Sequence, residues 1–104
     1  MKYDLTTPLK SYDGKDIQTG ETAGEVATLR FVLERACINA DAQKHAAPDQ
    51  KYKIYKLLRR VHAADPELEL SAEDLTLLKQ LVGELFGVNV VGVVYDLLEQ
   101  APSP

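Results

Sequence analysis

Tryptophan is absent from this 104-residue chain, cysteine occurs once, and two phenylalanines and five tyrosines are the only aromatic residues. A lone Cys37 excludes an internal disulfide and fits a reducing compartment. The two histidines, His45 and His62, form no HxxxH or HExxH, and no CxxC exists, so no metal-ligand spacing is present. The opening MKYDLTTPLK lacks the apolar stretch of a secretory signal. The closest approach to a membrane span, VNVVGVVY, falls far short of the roughly 20 residues required. These absences lead us to expect a single cytoplasmic domain over residues 1–100 with a frayed tail at 101–104 and no membrane partner.

Basic residues are scarce in the second half. Residues 1–60 carry 11 basic and 8 acidic side chains, net +3; residues 61–104 carry Lys79 alone against 8 acids, net -7; together they give -4. Solvated helix faces of different sign account for this split, and so does a charge-segregated surface that docks a partner or another copy of the chain. The acidic total argues against a dedicated nucleic-acid binder.

Turn and cap signals organise what is there. Asp13-Gly14 in PLKSYDGKDIQ is a tight-turn signal, because glycine accepts positive φ. Its neighbours supply neither GxxxxGK[ST] nor GxGxxG, so it is not a phosphate loop. Residues 1–20 therefore read as a small β-hairpin or extended arm. Two helix starts compete next. Thr22 with Glu25 makes a capping box but puts Gly24 in the first turn, at about 1 kcal/mol. Thr28 leaves GEVA extended and starts the helix where Leu29, Val32, Leu33 and Ala36 begin a buried face, so Thr28 is preferred.

Pro48 suits the first position of a second helix, with Ile54, Leu58 and Val61 on one face, Leu57 alongside, and Lys53, Lys56 and Arg60 on another. Tyr55 is expected to lean on the core. Glu67-Leu68-Glu69-Leu70 alternates and can add a short strand beside the hairpin. Ser71 with Asp74 is a capping box, and Leu70 with Leu75 is spaced as a hydrophobic staple. Leu75, Leu78, Val82 and Leu85 stripe the third helix, Gly87 closes it as a C′ glycine, and Asn89 caps a fourth helix with Val91, Val94 and Leu98 inward. The expected fold is mainly α (α+β): a compact four-helix bundle with a small amino-terminal hairpin and a possible third strand at 67–70.

Chemistry is harder to find. Cys37 lies on the first helix beside the apolar stripe; a nucleophile would need a base and a lowered pKa, and the residue reads as a buried structural thiol. His62, near Asp65, reads as a partly exposed side chain. Glu67, Glu69, Glu73 and Asp74 lack the asymmetric shielding that acid–base catalysis requires, and fit an acidic edge that discourages strand pairing. No catalytic, metal or cofactor residue is expected. YKIYKLLRR interleaves cations with Tyr52 and Tyr55, a pattern that suits an acidic protein surface or stacked bases. The candidate partner-binding residues are Lys53, Lys56, Arg60, Glu67 and Glu69.

The segments PLKSYDGKDI, TLRFVLERA, KYKIYKLLRRV and LELSAEDLTLLKQLVGELFGVNVVGVVYDLLE resemble a group of short proteins encoded by tailed bacteriophages and prophages. Members open like PLKDLDGKPI and close like VELSAEDxxLIKxxVGKxYxPLVVGxxxxLLE. The likeness is strongest over residues 68–99; Cys37 to Gln50 falls outside it, and Gly87-Val88 stands where Ser/Gly-Pro is usual. The resemblance implies a phage-encoded protein without enzymatic activity. It would act by binding another phage or host protein in head or tail assembly, in the host cytoplasm or on the virion. The alternative is an accessory inhibitor of a host factor, its acidic half imitating nucleic-acid phosphates.

Overall fold

A computed structural model of the chain describes residues 2–19, 24–40 and 47–99. Among them the order is β1 (Lys2–Asp4), α1 (Leu29–Ile38), α2 (Pro48–Ala63), β2 (Glu67–Glu69), α3 (Ala72–Leu85) and α4 (Val88–Glu99). The expected helical bundle with a small β element is present.

Capping chemistry sets the helix starts. Thr28 is the N-cap of α1, its hydroxyl accepting from the Phe31 N–H at 3.3 Å. Gly24 stands outside the helix with φ +81°, the left-handed region that penalises side chains. Pro48 opens α2. Ser71 and Asp74 form the reciprocal capping box of α3: the Asp74 N–H donates to Ser71 Oγ, and the Ser71 N–H to Asp74 Oδ2, both at 3.1 Å.

The α3–α4 junction departs from expectation. Gly87 is not left-handed; Phe86 is the C-cap of α3 in extended geometry. The Gly87 carbonyl accepts from the Val91 N–H at 3.0 Å, so α4 begins at Val88 and not after Asn89. Asn89 reaches across the fold instead. Its side-chain oxygen accepts from the Tyr12 N–H at 3.2 Å, and its amide donates to Ser11 Oγ at 3.0 Å. A side chain that serves a distant turn cannot also cap its own helix.

The ELEL strand joins the amino terminus, as the alternation allows. β1 and β2 pair antiparallel, with Tyr3 opposite Leu68, Lys2 opposite Glu69 and Asp4 opposite Glu67. Tyr3 and Leu68 turn inward while the charged neighbours face out, the period of two expected of a half-buried strand. The Tyr3 hydroxyl donates to the Leu98 carbonyl at 2.6 Å and fastens β1 to the end of α4. Gly14, at φ +82°, makes the Asp-Gly turn. On either side of it, bridges join Lys10 to Asp16, Gln18 to Val26 and Pro8 to Thr28.

The core runs through all these elements: Leu5, Leu9, Leu29, Leu33, Leu70, Leu78 and Leu98 have at most 2% of their surface exposed. On α2 the inward residues are Ile54, Leu57 and Val61. Leu58, expected on that face, is only half-buried, because the core meets α2 one residue earlier. Leu85 likewise is exposed, and Leu81 takes its place in the stripe of α3. Arg30, at the start of α1, donates to the Ala64 carbonyl at the end of α2, where a cation complements the helix dipole.

Candidate functional site

The inward residues of α2 fix where its other side chains go. With Ile54, Leu57 and Val61 buried, the stripe Tyr52, Tyr55, Lys56 and Arg59 stands as an outward crest. Tyr55, expected against the core, is 51% exposed, and Tyr52 is 60% exposed. The two rings stack on each other with centroids 6.4 Å apart and planes 20° apart. Lys56 Nζ lies 4.7 Å from the Tyr52 centroid, and the Arg59 guanidinium 5.9 Å from that of Tyr55. Each cation sits within range of an aromatic face, so the crest alternates ring and charge in a preset arrangement.

The basic face expected at Lys53, Lys56 and Arg60 is divided by the fold. Lys53 Nζ bonds Glu73 Oε1 on α3 at 2.6 Å. Glu73 holds that ammonium above its ordinary pKa, first through the hydrogen bond and then through its charge. Arg60 Nη1 bonds Asp74 Oδ2 at 3.1 Å, and its Nη2 donates to the Glu69 carbonyl at 2.8 Å. Burial pushes the Asp74 carboxyl up, but hydrogen bonds from Ser71 and Arg60 outweigh it and hold the group below the usual carboxylate value. Lys56, between these two, makes no ion pair among the described residues. Glu67 and Glu69 project outward from β2, and only the backbone of Glu69 meets Arg60. Sequence spacing carried no signal that α3 would bring Glu73 and Asp74 to Lys53 and Arg60.

Beside the crest, toward α1, runs a groove of about 510 Å³ lined by Ile38, Leu58, Ala63, Arg59 and the Glu34–His62 pair. Ile38 is 53% exposed there. His62 Nδ1 lies 2.7 Å from Glu34 Oε1 on α1, not beside Asp65 as its position in sequence suggests. An adjoining hollow reaches Cys37, Ile54 and Tyr55. Cys37 and Glu34 are thus neighbours, but burial first and the Glu34 charge second push the thiol up to about 12. A nucleophilic cysteine requires the opposite shift. His45 lies outside the described residues.

Three exposed apolar side chains away from α2 also escaped the sequence reading. Tyr12 is 88% exposed, Val88 92% and Leu85 38%. The bond from the Tyr12 N–H to Asn89 and that from Asn89 to Ser11 bring the Asp-Gly turn against the start of α4. No three His, Cys, Asp or Glu side chains among the described residues are placed to hold a metal ion. No helix among them is long and apolar enough to cross a membrane. No family model, curated protein or solved structure matches the chain.

Proposed function

We propose that this chain acts by binding another protein, without catalysing a reaction, and that the crest of α2 is its docking surface. The observation that carries the reading is the exposed Tyr52–Tyr55 stack with Lys56 and Arg59 over the ring faces. Aromatic residues and Arg dominate binding energy at protein interfaces. Ring stacking and the cation contacts hold these side chains in place before binding, which lowers the entropic cost of docking. The two free cations fit an acidic partner surface. A chain of net charge -4 is poorly suited to a nucleic-acid backbone. The resemblance to tailed-phage proteins gives the setting: assembly of the head or tail, with another phage protein or a host protein as partner.

A second reading has its own support. Asp65, Glu67 and Glu69 follow one another along an exposed edge, and none makes an ion pair among the described residues. That edge could occupy the basic groove of a host nucleic-acid enzyme. Affinity purification from infected cells separates the two. Loss of the recovered partner with Tyr52→Ala or Lys56→Glu supports the crest. Loss only with Glu67→Lys and Glu69→Lys supports phosphate mimicry and contradicts the crest.

A further inference from the structure

We infer that the crest takes a short acidic segment of a partner protein, its few carboxylates seated in a hollow between Lys56, Arg59, Arg60 and Ala63, and that Glu67 and Glu69 bar a longer polyanion. This rests on the docking reading of α2 and names the chemistry that the surface selects. The four lining residues stand three or four positions apart, so they share one stripe of the helix, and the hollow they border measures about 390 Å³. No acidic side chain among the described residues lines it. Arg60 is answered by Asp74 at 3.1 Å. Lys56 and Arg59 make no ion pair among the described residues and leave a surplus of two positive charges. The Tyr52 and Tyr55 rings, 4.7 and 5.9 Å from these two cations, steady them at the rim.

Spacing and surroundings select the occupant. Carboxylates one helical turn apart have Cβ atoms about 5–6 Å apart, the spacing of Lys56 and Arg59 themselves, so an acidic pair on a partner helix meets both cations at once. The hollow also abuts an acidic edge. Arg60, part of its lining, donates from Nη2 to the Glu69 carbonyl at 2.8 Å, which sets β2 against it. Glu67 and Glu69 project from one face of β2, are exposed, and make no ion pair among the described residues. A nucleic-acid strand carries a charge at every phosphate, so one that crosses the hollow toward β2 meets like charge. A protein segment places its acids over the hollow and neutral or basic residues over the edge.

Fluorescence anisotropy with the full chain tests it, using two labelled probes: a peptide with a glutamate triplet in a glycine–serine frame, and an oligothymidylate. The wild type should bind the peptide more tightly than the oligothymidylate, and rising salt should weaken the binding. Lys56→Glu/Arg59→Glu should weaken peptide binding about tenfold or more. Glu67→Lys/Glu69→Lys should raise affinity for the oligothymidylate about tenfold or more, and for the peptide much less. Glu84→Lys/Asp96→Lys makes the same change of net charge on α3 and α4, which give the hollow no lining residue, and should bring no such selective gain. All six sites are exposed, and circular dichroism melts confirm folding. A wild type that binds no peptide, or that prefers the oligothymidylate, overturns the inference. So does peptide binding indifferent to Lys56 and Arg59, or an edge variant with no gain beyond that of the α3–α4 variant. Absent peptide binding, with partner capture still dependent on Tyr52 and Lys56, sinks this inference alone. Peptide binding that needs Lys56 and Arg59, with capture indifferent to Tyr52 and Lys56, sinks the docking assignment alone.

Discussion

Arg60 on α2 reaches the carboxylate that caps α3: its Nη1 lies 3.1 Å from Asp74 Oδ2, the same oxygen that accepts from the Ser71 N–H. The pair turns a local cap into a tie between two helices, with 47% of the Arg60 side chain still exposed. Reversing Lys53 or Arg60 would set an anion against Glu73 or Asp74, whereas reversing Lys56 would not. In urea unfolding, Arg60→Glu should lower the midpoint clearly more than Lys56→Glu. Ser71→Ala should cost about 1 kcal/mol through the lost cap.

Asp74 also sets a pH dependence. Its folded pKa is depressed, so its contribution to stability is fully present above the ordinary carboxylate value of roughly 3.9. That contribution is lost as pH falls through the lower folded value. Thermal melts from pH 6 downward should therefore show a steeper acid loss for the wild type than for Asp74→Asn. Parallel curves would mean that the cap does not titrate with folding.

Cys37 should be inert in the folded protein. With its thiol pushed up to about 12, almost no thiolate exists at pH 8, and burial blocks access as well. Ellman's reagent should label it only after denaturant is added. Labelling at the rate of a free thiol without denaturant would contradict the packing described for α1.

Gly83 and Tyr95 form a coupled pair. A Cβ on Gly83 would stand 2.8 Å from the Tyr95 hydroxyl, which donates to the Lys79 carbonyl at 2.5 Å. Gly83→Ala should gain about 1 kcal/mol of helix propensity and lose about 0.5–1.5 kcal/mol by displacing that hydrogen bond, leaving stability near its starting value. In a Tyr95→Phe background the next ring atom is 3.8 Å away, so the propensity gain should appear in full. A double-mutant cycle that is additive within about 0.3–0.5 kcal/mol would show the two residues uncoupled.

Leu78 and Leu58 should separate core from groove. Leu78 is fully buried, and Leu78→Ala should cost about 2–5 kcal/mol in urea unfolding. Leu58 is half-buried and lines the groove, so Leu58→Ala should cost distinctly less. Equal losses would place Leu58 in the core after all.

Local signals in the sequence located most of the helical frame. Thr28, Pro48 and the Ser71–Asp74 box each act through residues at most four positions away, and each is where the spacing put it. The errors share a different origin. Asn89 has good capping chemistry but bonds Ser11 and Tyr12, more than 70 residues upstream. Tyr55 and Leu58 both lie farther out than expected, because a shift of one residue in the buried stripe of α2 depends on how α1 packs, which periodicity alone does not fix. The candidate site was half legible. Spacing put Lys53, Lys56 and Arg60 together, but which of them stays free depends on Glu73 and Asp74, positioned by another helix.

Paired readings on the Tyr52→Ala/Lys56→Glu double variant test the docking surface most directly: thermal melting of the protein alone, and quantitative recovery of its partner from infected cells against the wild type. Both side chains are exposed, and Lys56 makes no ion pair among the described residues, so melting should barely move. Recovery should fall about tenfold or more, the loss expected when an aromatic anchor and its cation leave an interface. Unchanged recovery from a folded double variant would contradict the assignment of the α2 crest as the docking surface.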